Sequence, residues 1–261
     1  MLSYLSTHIV IYLCAVIALF GLVMGSALNC LAMRIAAGER WSGSARSACP
    51  KCGHTLTALE LIPLVSWLAQ RGKCRHCGAP ISKRYPLTEV TLAAVYVALL
   101  LKFDLSLALV SAMVFASCLF CLSLVDLDTQ IIPDRFLLIP IAVRAAELLV
   151  SGGVTALVRF LPGLIIAGAV LVVSLVMDKV LKKDTMGGGD IKLLFVIGSY
   201  LTFPECLLMV MLACIIGIVM ASILMKLDSE TPFPFGPALS IAAVVVMLVG
   251  SPIVNWYLNL F

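Results

Sequence analysis

The chain has 261 residues, 62% of them hydrophobic and 12% charged, with a mean hydropathy of +1.13 and a formal net charge of +4. This excludes a soluble globular domain and predicts a polytopic membrane protein, because each helical span uses about 20 mostly apolar residues. The charge is no signal for a nucleic-acid partner, and the ten cysteines are no disulfide framework: four form a metal-like pattern and six are scattered through apolar runs.

The N-terminus runs apolar from His8 to Met33, with no Lys or Arg before Arg34. A secretory signal peptide has a basic start and a short apolar core. This segment has neither, and is read as a retained first span (residues 1–34) with its basic flank on the cytoplasmic side. Gly25, Ser26, Ala27 and Asn29 near its end permit close helix packing, and Asn29 is expected to bond to a neighbouring helix, with a substrate contact as the minor alternative.

Residues 35–85 are the only long polar segment and are read as a small cytoplasmic domain. From Arg34 to Arg84 there are nine Lys or Arg residues against two acids, Glu39 and Glu60. That bias sets the orientation. The remaining chain, residues 86–261, divides into apolar runs at 87–101, 105–125, 136–150, 156–178, 191–203, 205–225 and 236–260. With the first span, the predicted fold is all-α with about eight transmembrane helices and a small zinc-binding loop domain. With the N-terminus outside, the loops at 126–135, 179–192 and 226–235 fall on the cytoplasmic side. They carry Arg135, Lys179, Lys182, Lys183, Lys192 and Lys226, whereas the opposite side receives Lys102 and Arg159. Asp126 and Asp190 then share one face of the membrane. Arg144 and Glu147 are spaced i,i+3 and are expected to pair within their helix.

The stretch Met186-Gly187-Gly188-Gly189-Asp190-Ile191-Lys192 puts a carboxylate after three glycines and before an apolar run. A carboxylate at a membrane edge is costly and is usually retained for chemistry or ion binding. Gly187, Gly188 and Gly189 lack side chains that would hold off a substrate backbone. Asp190 is expected to open the next helix, where the helix dipole favours negative charge. An ordinary turn with an Asp N-cap is the competing reading.

The second acidic stretch is Asp126-Leu127-Asp128-Thr129-Gln130-Ile131-Ile132-Pro133-Asp134. Asp126 is nearest the membrane. On a helix, Asp128 points about 200° away from it, and Asp134 follows Pro133 as an ordinary helix opener. Asp126 is therefore the favoured partner of Asp190. Two converging carboxylates suggest an aspartyl protease dyad, one ionised to take a proton from water and one protonated to polarise the scissile carbonyl. No HExxH zinc-protease motif and no GxSxG elbow compete in the sequence.

Cys49-Pro50-Lys51-Cys52 and Cys74-Arg75-His76-Cys77 are each C-x-x-C followed by glycine, at Gly53 and Gly78. Two such knuckles read as a four-cysteine structural zinc site, the staple that a small loop domain without its own core needs. His54 and His76 are read as exposed neighbours, and Cys118 and Cys121 as lipid-facing or packing residues.

These residues together resemble the bacterial type IV prepilin peptidases, the GxGD-type leader peptidase and N-methyltransferase enzymes of pilus and type II secretion systems. The resemblance rests on Gly25-Ser26 with Asn29, the two C-x-x-C knuckles, Glu60-Leu61-Ile62-Pro63-Leu64-Val65-Ser66, and Ile81-Ser82-Lys83-Arg84-Tyr85-Pro86 with Glu89. It continues through Asp126 to Asp134, Met186 to Lys192, and Pro234-Phe235-Gly236-Pro237. It implies Asp126 and Asp190 as catalytic aspartates in the inner (cytoplasmic) membrane, acting on its cytoplasmic side. The implied partners are prepilins and pseudopilins, cleaved after the glycine that precedes their hydrophobic helix. It also implies methylation of the new N-terminus from S-adenosylmethionine, associated with the cysteine loop. No nucleotide-binding glycine fingerprint shows where that donor binds. The alternatives are another GxGD intramembrane protease and a metal-ion transporter. Transport is disfavoured because both acids lie at one edge of their helices rather than near the middle. Pro237-Ala238-Leu239 is read as a proline-rich helix entry.

Overall fold

The computed structural model describes residues 6–39, 46–152, 154–182, 186–227 and 234–260. Parts of the predicted loops, residues 183–185 with Lys183 and residues 228–233, lie outside the described residues, as do 40–45 of the polar segment. Among the described residues the secondary structure is helical. The only β pairing there is two isolated bridges, Ala48–Thr55 and Lys73–Pro80.

All eight apolar runs fold as helices: α1 (Thr7–Ala36), α3 (Arg84–Phe103), α4 (Leu107–Thr129), α5 (Arg135–Gly152), α6 (Leu161–Leu181), α7 (Gly188–Gly198), α8 (Phe203–Leu227) and α9 (Gly236–Leu258). A short α2 (Val65–Ala69) lies in the polar segment after a 3-10 turn at Ala58–Leu61. Six of the eight, α1, α3, α4, α6, α8 and α9, are long and apolar enough to cross a membrane. This is a multi-pass membrane protein. The other two differ for separate reasons. Helix α5 carries Arg135, Arg144 and Glu147 along its length. Helix α7 has 11 residues and rises only about 16 Å, half of a hydrocarbon core.

The chain forms two compact units, Met1–Leu109 and Val110–Phe261. In the first, α1 packs along α3. The contact is close because Gly21 and Gly25 remove side chains from the face of α1 that meets it. A Cβ on Gly25 would lie 2.8 Å from the Cα of Glu89, and one on Gly21 would lie 2.5 Å from the Cα of Ala93. Small residues four apart allow such backbone approach where lipid offers no hydrophobic drive to association. One turn on, fully buried Asn29 accepts a hydrogen bond at 3.1 Å from Nε of Arg84 on α3, the interhelical bond its position predicted.

In the second unit, α4 is buried nearly all round, with Phe115, Leu119, Cys121, Leu122 and Val125 at most 2% exposed. A helix apolar on every side belongs inside a bundle. Cys118 and Cys121 are buried packing residues there. The Arg144–Glu147 pair forms at 2.7 Å. The same guanidinium donates to the Ser199 carbonyl and lies over the Tyr200 ring, 5.0 Å from its centroid. A charge in the apolar bundle is thus answered on three sides, as such burial requires. Helix α7 packs on α5, α6, α8 and α9, with Leu193, Leu194, Val196 and Ile197 buried.

The glycine seam between α1 and α3 yields a test. Gly25→Leu is expected to lower stability by about 1–3 kcal/mol, the usual cost of overpacking. Gly168→Leu on α6, where a Cβ meets nothing within 4 Å, should be close to neutral. Thermal midpoints in detergent compare the two.

Candidate active site and metal centre

Asp126 sits in the last turn of α4 and is buried, at 5% exposure. Its Oδ2 accepts the backbone N–H of Gly236 at 3.0 Å. Gly236 is the first residue of α9, with Pro237 behind it. The first N–H groups of a helix have no intrahelical acceptor, and the positive end of the helix dipole suits a carboxylate. Gly236 has to be a glycine for this contact, since a Cβ there would lie 2.6 Å from the same Oδ2. Asp128 and Asp134, the other two aspartates of the stretch, are exposed.

Asp190 lies in the first turn of α7 and is half-buried, with Gly187 as the residue that caps the helix. Its N–H donates to the Gly187 carbonyl at 3.1 Å. The three glycines do different things. A Cβ on Gly187 would touch the Asp190 carboxylate at 3.5 Å, and one on Gly189 would crowd Ile132 at 3.0 Å, whereas Gly188 has nothing within 4 Å. The loop after α4 therefore packs on Gly189 while Gly188 stays open. Lys192 and Asp134 close the same region with an ion pair at 2.8 Å, both side chains largely exposed. The stretch that follows Asp126 is thus packed against the turn that carries Asp190.

The cysteine cluster is built by a repeated local fold. In the first knuckle Cys49 N–H donates to the His54 carbonyl and Gly53 N–H to the Cys49 carbonyl, both at 2.9 Å. In the second, Cys74 N–H donates to the Ala79 carbonyl at 2.8 Å and Gly78 N–H to the Cys74 carbonyl at 2.9 Å. Gly53 and Gly78 take the same left-handed conformation, φ +70° and +69°, which only glycine adopts freely. The two turns bring the Sγ atoms of Cys49, Cys52, Cys74 and Cys77 within 4.8 Å of one another. Cys49 and Cys77 are 3.8 Å apart, which is the edge of a tetrahedron with metal–sulfur bonds of about 2.3 Å. The donor set and spacing are compatible with zinc. His54 and His76 lie beside it with ring centroids 3.6 Å apart and planes tilted by 30°.

Two model families match the chain. The Bacterial Peptidase A24 N-terminal domain covers residues 19–103, and the Type IV leader peptidase family covers residues 113–222. A prepilin leader peptidase/N-methyltransferase of Aeromonas hydrophila is 37% identical over 221 residues, 83% of this chain and 76% of that protein. One of Bacillus subtilis (strain 168) is 33% identical over 94% of this chain and 98% of its own. One of Pseudomonas aeruginosa is 32% identical over 99% and 98%. The chain belongs to the type IV leader peptidase family. No solved structure matches it.

Within this leader peptidase the first family match contains the four cysteines and the second contains Asp126 and Asp190. Gly236 lies beyond both. Pro234-Phe235-Gly236-Pro237 counts in the sequence only as part of the family resemblance, with no role for Gly236, and the contact across 110 residues has no local signal except a glycine where a helix begins. A second missed feature was visible. Thr57-x-x-Glu60 is a capping box, and Glu60 Oε2 accepts both the N–H and the hydroxyl of Thr57 at 2.9 Å. Those two bonds, then His54, hold the Glu60 carboxyl down at about 2.

Proposed function

We infer that this chain is a membrane aspartyl endopeptidase that removes the leader of type IV prepilins and pseudopilins after glycine and then methylates the new N-terminus from S-adenosylmethionine. The observation that supports the peptidase reading is the packing of the loop that follows Asp126 against the first turn of α7, which carries Asp190, through Ile132 on Gly189 and the Asp134–Lys192 pair, in a chain that belongs to the leader peptidase family. One carboxylate takes a proton from the attacking water while the other, protonated, donates to the scissile carbonyl; on collapse of the tetrahedral intermediate the first passes its proton to the leaving amine and the second recovers its own from the hydroxyl that becomes the new carbonyl. The Gly236 N–H fixes the rotamer of Asp126. Open Gly188 lets an extended leader run alongside Asp190.

The residues Cys49, Cys52, Cys74 and Cys77 would hold a structural zinc ion that ties the 35–85 segment into a domain. When bound, the ion supplies fold rather than chemistry, because four thiolates leave it no open position. The protease core is residues 86–261, in the inner membrane, with the zinc domain and both aspartates on the cytoplasmic side. The basic excess of the 34–84 segment supports that side. The methyl donor's residues are unassigned.

Asp126→Asn and Asp190→Asn are each expected to abolish cleavage of a prepilin, by a factor on the order of a thousand or more, with the double variant little worse, as for groups acting as one unit. Asp128→Asn and Asp134→Asn should be milder. An active Asp126→Asn beside an inactive Asp128→Asn would reassign the dyad. A panel of prepilin and unrelated membrane substrates separates this reading from a general intramembrane protease.

Gly236→Ala should cost on the order of a hundredfold in cleavage, the typical penalty for misplacing a catalytic group by about 1 Å. Helix content by circular dichroism should be unchanged.

Purified protein should hold about one zinc per chain by mass spectrometry of metals, lost in Cys49→Ser/Cys74→Ser. That variant should lose methylation while retaining substantial cleavage, since the carboxylates need no Lewis acid. Parallel loss of both activities in well-folded protein would place the loop in the protease site.

A further inference from the structure

The segment between the two cysteine knuckles, residues 56–72, carries a surface that a water-facing domain would not keep. Leu59, Leu61, Ile62, Val65 and Leu68 are 41–69% exposed. Singly such residues need no explanation, but a contiguous set on a small polar domain marks a contact surface. Both ends of the segment are fixed: Leu56 N–H donates to the Ser47 carbonyl at 2.8 Å and Ile81 N–H to the Gly72 carbonyl at 2.7 Å.

Its level relative to the membrane follows from α3. Twenty residues rise about 30 Å, the thickness of a hydrocarbon core with nothing to spare. The first two turns of α3 therefore stand at the boundary between headgroups and acyl chains. The segment is attached beside those turns. Buried Glu89, five residues into α3, accepts the Leu64 N–H at 2.6 Å. The Trp67 indole N–H donates to the Ile81 carbonyl at 3.3 Å. Trp67 also lines an open, almost wholly apolar groove with Lys83, Pro86, Leu87 and Val90, the last two on the second turn of α3. Leu64 itself is held at φ +60°, ψ −50°, a conformation that costs a branched residue energy and persists only where its surroundings impose it.

A turn in contact with acyl chains must have its backbone N–H groups satisfied from within the protein. The Glu89–Leu64 bond does that for Leu64. The exposed charges flanking the segment are basic: Arg71, Lys73, Arg75 and Lys83 are exposed, Lys83 lining the groove itself, while Glu60, the one acid between residues 46 and 88, is turned inward onto Thr57. Such a flank complements anionic headgroups.

We propose that residues 59–68 form a wedge that dips into the headgroup–acyl boundary of the bilayer that α3 crosses, held at that depth by Glu89. The occupant of this apolar face is lipid. The cysteine knuckles at either end then lie flat on the membrane surface instead of projecting from it.

The test is fluorescence of full-length protein carrying Trp41→Phe and Trp256→Phe, which leaves Trp67 alone, in vesicles of mixed zwitterionic and anionic phospholipid. Lipids brominated high on the acyl chain should quench Trp67 at least about twofold more than lipids brominated near the chain end, as for an element buried about 5–10 Å deep. Aqueous acrylamide should quench it weakly. Free quenching by acrylamide, or no quenching by either brominated lipid because protein covers the face, would overturn the proposal. Adding Glu89→Leu should raise acrylamide quenching and lower bromolipid quenching at unchanged metal content. Unchanged quenching there would refute the role of Glu89, and if that variant does not fold, the Trp67 result alone decides the wedge.

Discussion

Inside a bilayer each buried polar group has to find its partner in the protein, and the placement of Asp126 follows from that constraint. A carboxylate near the end of an apolar helix has few donors within reach. Here the donor is the backbone N–H of Gly236, available because it is the first residue of α9 and because no side chain blocks the approach. One bond thus does two things: it lowers the cost of burying the carboxylate, and it ties the end of α4 to the beginning of α9. Hydrogen bonds to charged groups are the stronger kind, about 1.5–3 kcal/mol net. A backbone donor also cannot swing away as a side chain can. The bond therefore fixes the carboxylate as well as stabilising it.

The same logic runs through the rest of the molecule. Arg144 is met by Glu147, a carbonyl and an aromatic face. Glu89 is met by a backbone N–H. Glu205 at the start of α8 accepts from Thr202 and from Ser251 of α9. In each case a charged or polar side chain in an apolar region joins two elements, so the cost of its burial is converted into a defined register between helices. This is a use of buried polarity that apolar contacts alone, being non-directional, do not supply.

How much of this could be read from the chain depends on range. The eight helices were legible because long apolar runs interrupted by charge, Pro and Gly leave few alternatives in a membrane. The knuckles were legible because a four-cysteine cluster of this kind is two local turns, and Gly53 and Gly78 mark both. The brevity of α7 was not: the apolar run 191–203 continues through Tyr200 and Leu201, and only the packed structure shows the helix ending at Gly198, where the backbone of Gly163 on α6 comes against it. The Gly236 contact was equally invisible, since nothing near residue 236 indicates that its N–H will face residue 126. Leu64 shows the other limit. Its positive φ contradicts local propensity and arises from contacts at Glu89 and the adjoining helix, which no window around residue 64 contains.

What positions Asp190 can be decided by magnitudes. Three glycines precede it, and each costs more conformational entropy to order than any other residue. The Lys192–Asp134 pair lies close by, but with side chains 59% and 64% exposed it is a surface pair, worth about 0–1 kcal/mol. That is too little to order a glycine-rich entry, since fixing one residue's backbone costs roughly 1–2 kcal/mol. The burial of Leu193, Leu194, Val196 and Ile197, each at most 2% exposed, contributes about 1.5–3 kcal/mol per side chain. Packing of α7 therefore sets where Asp190 stands, and the ion pair only trims the loop around it. The glycines can then stay unencumbered on the open side at Gly188, so the same eleven-residue helix holds its carboxylate firmly while its entrance carries no packing load.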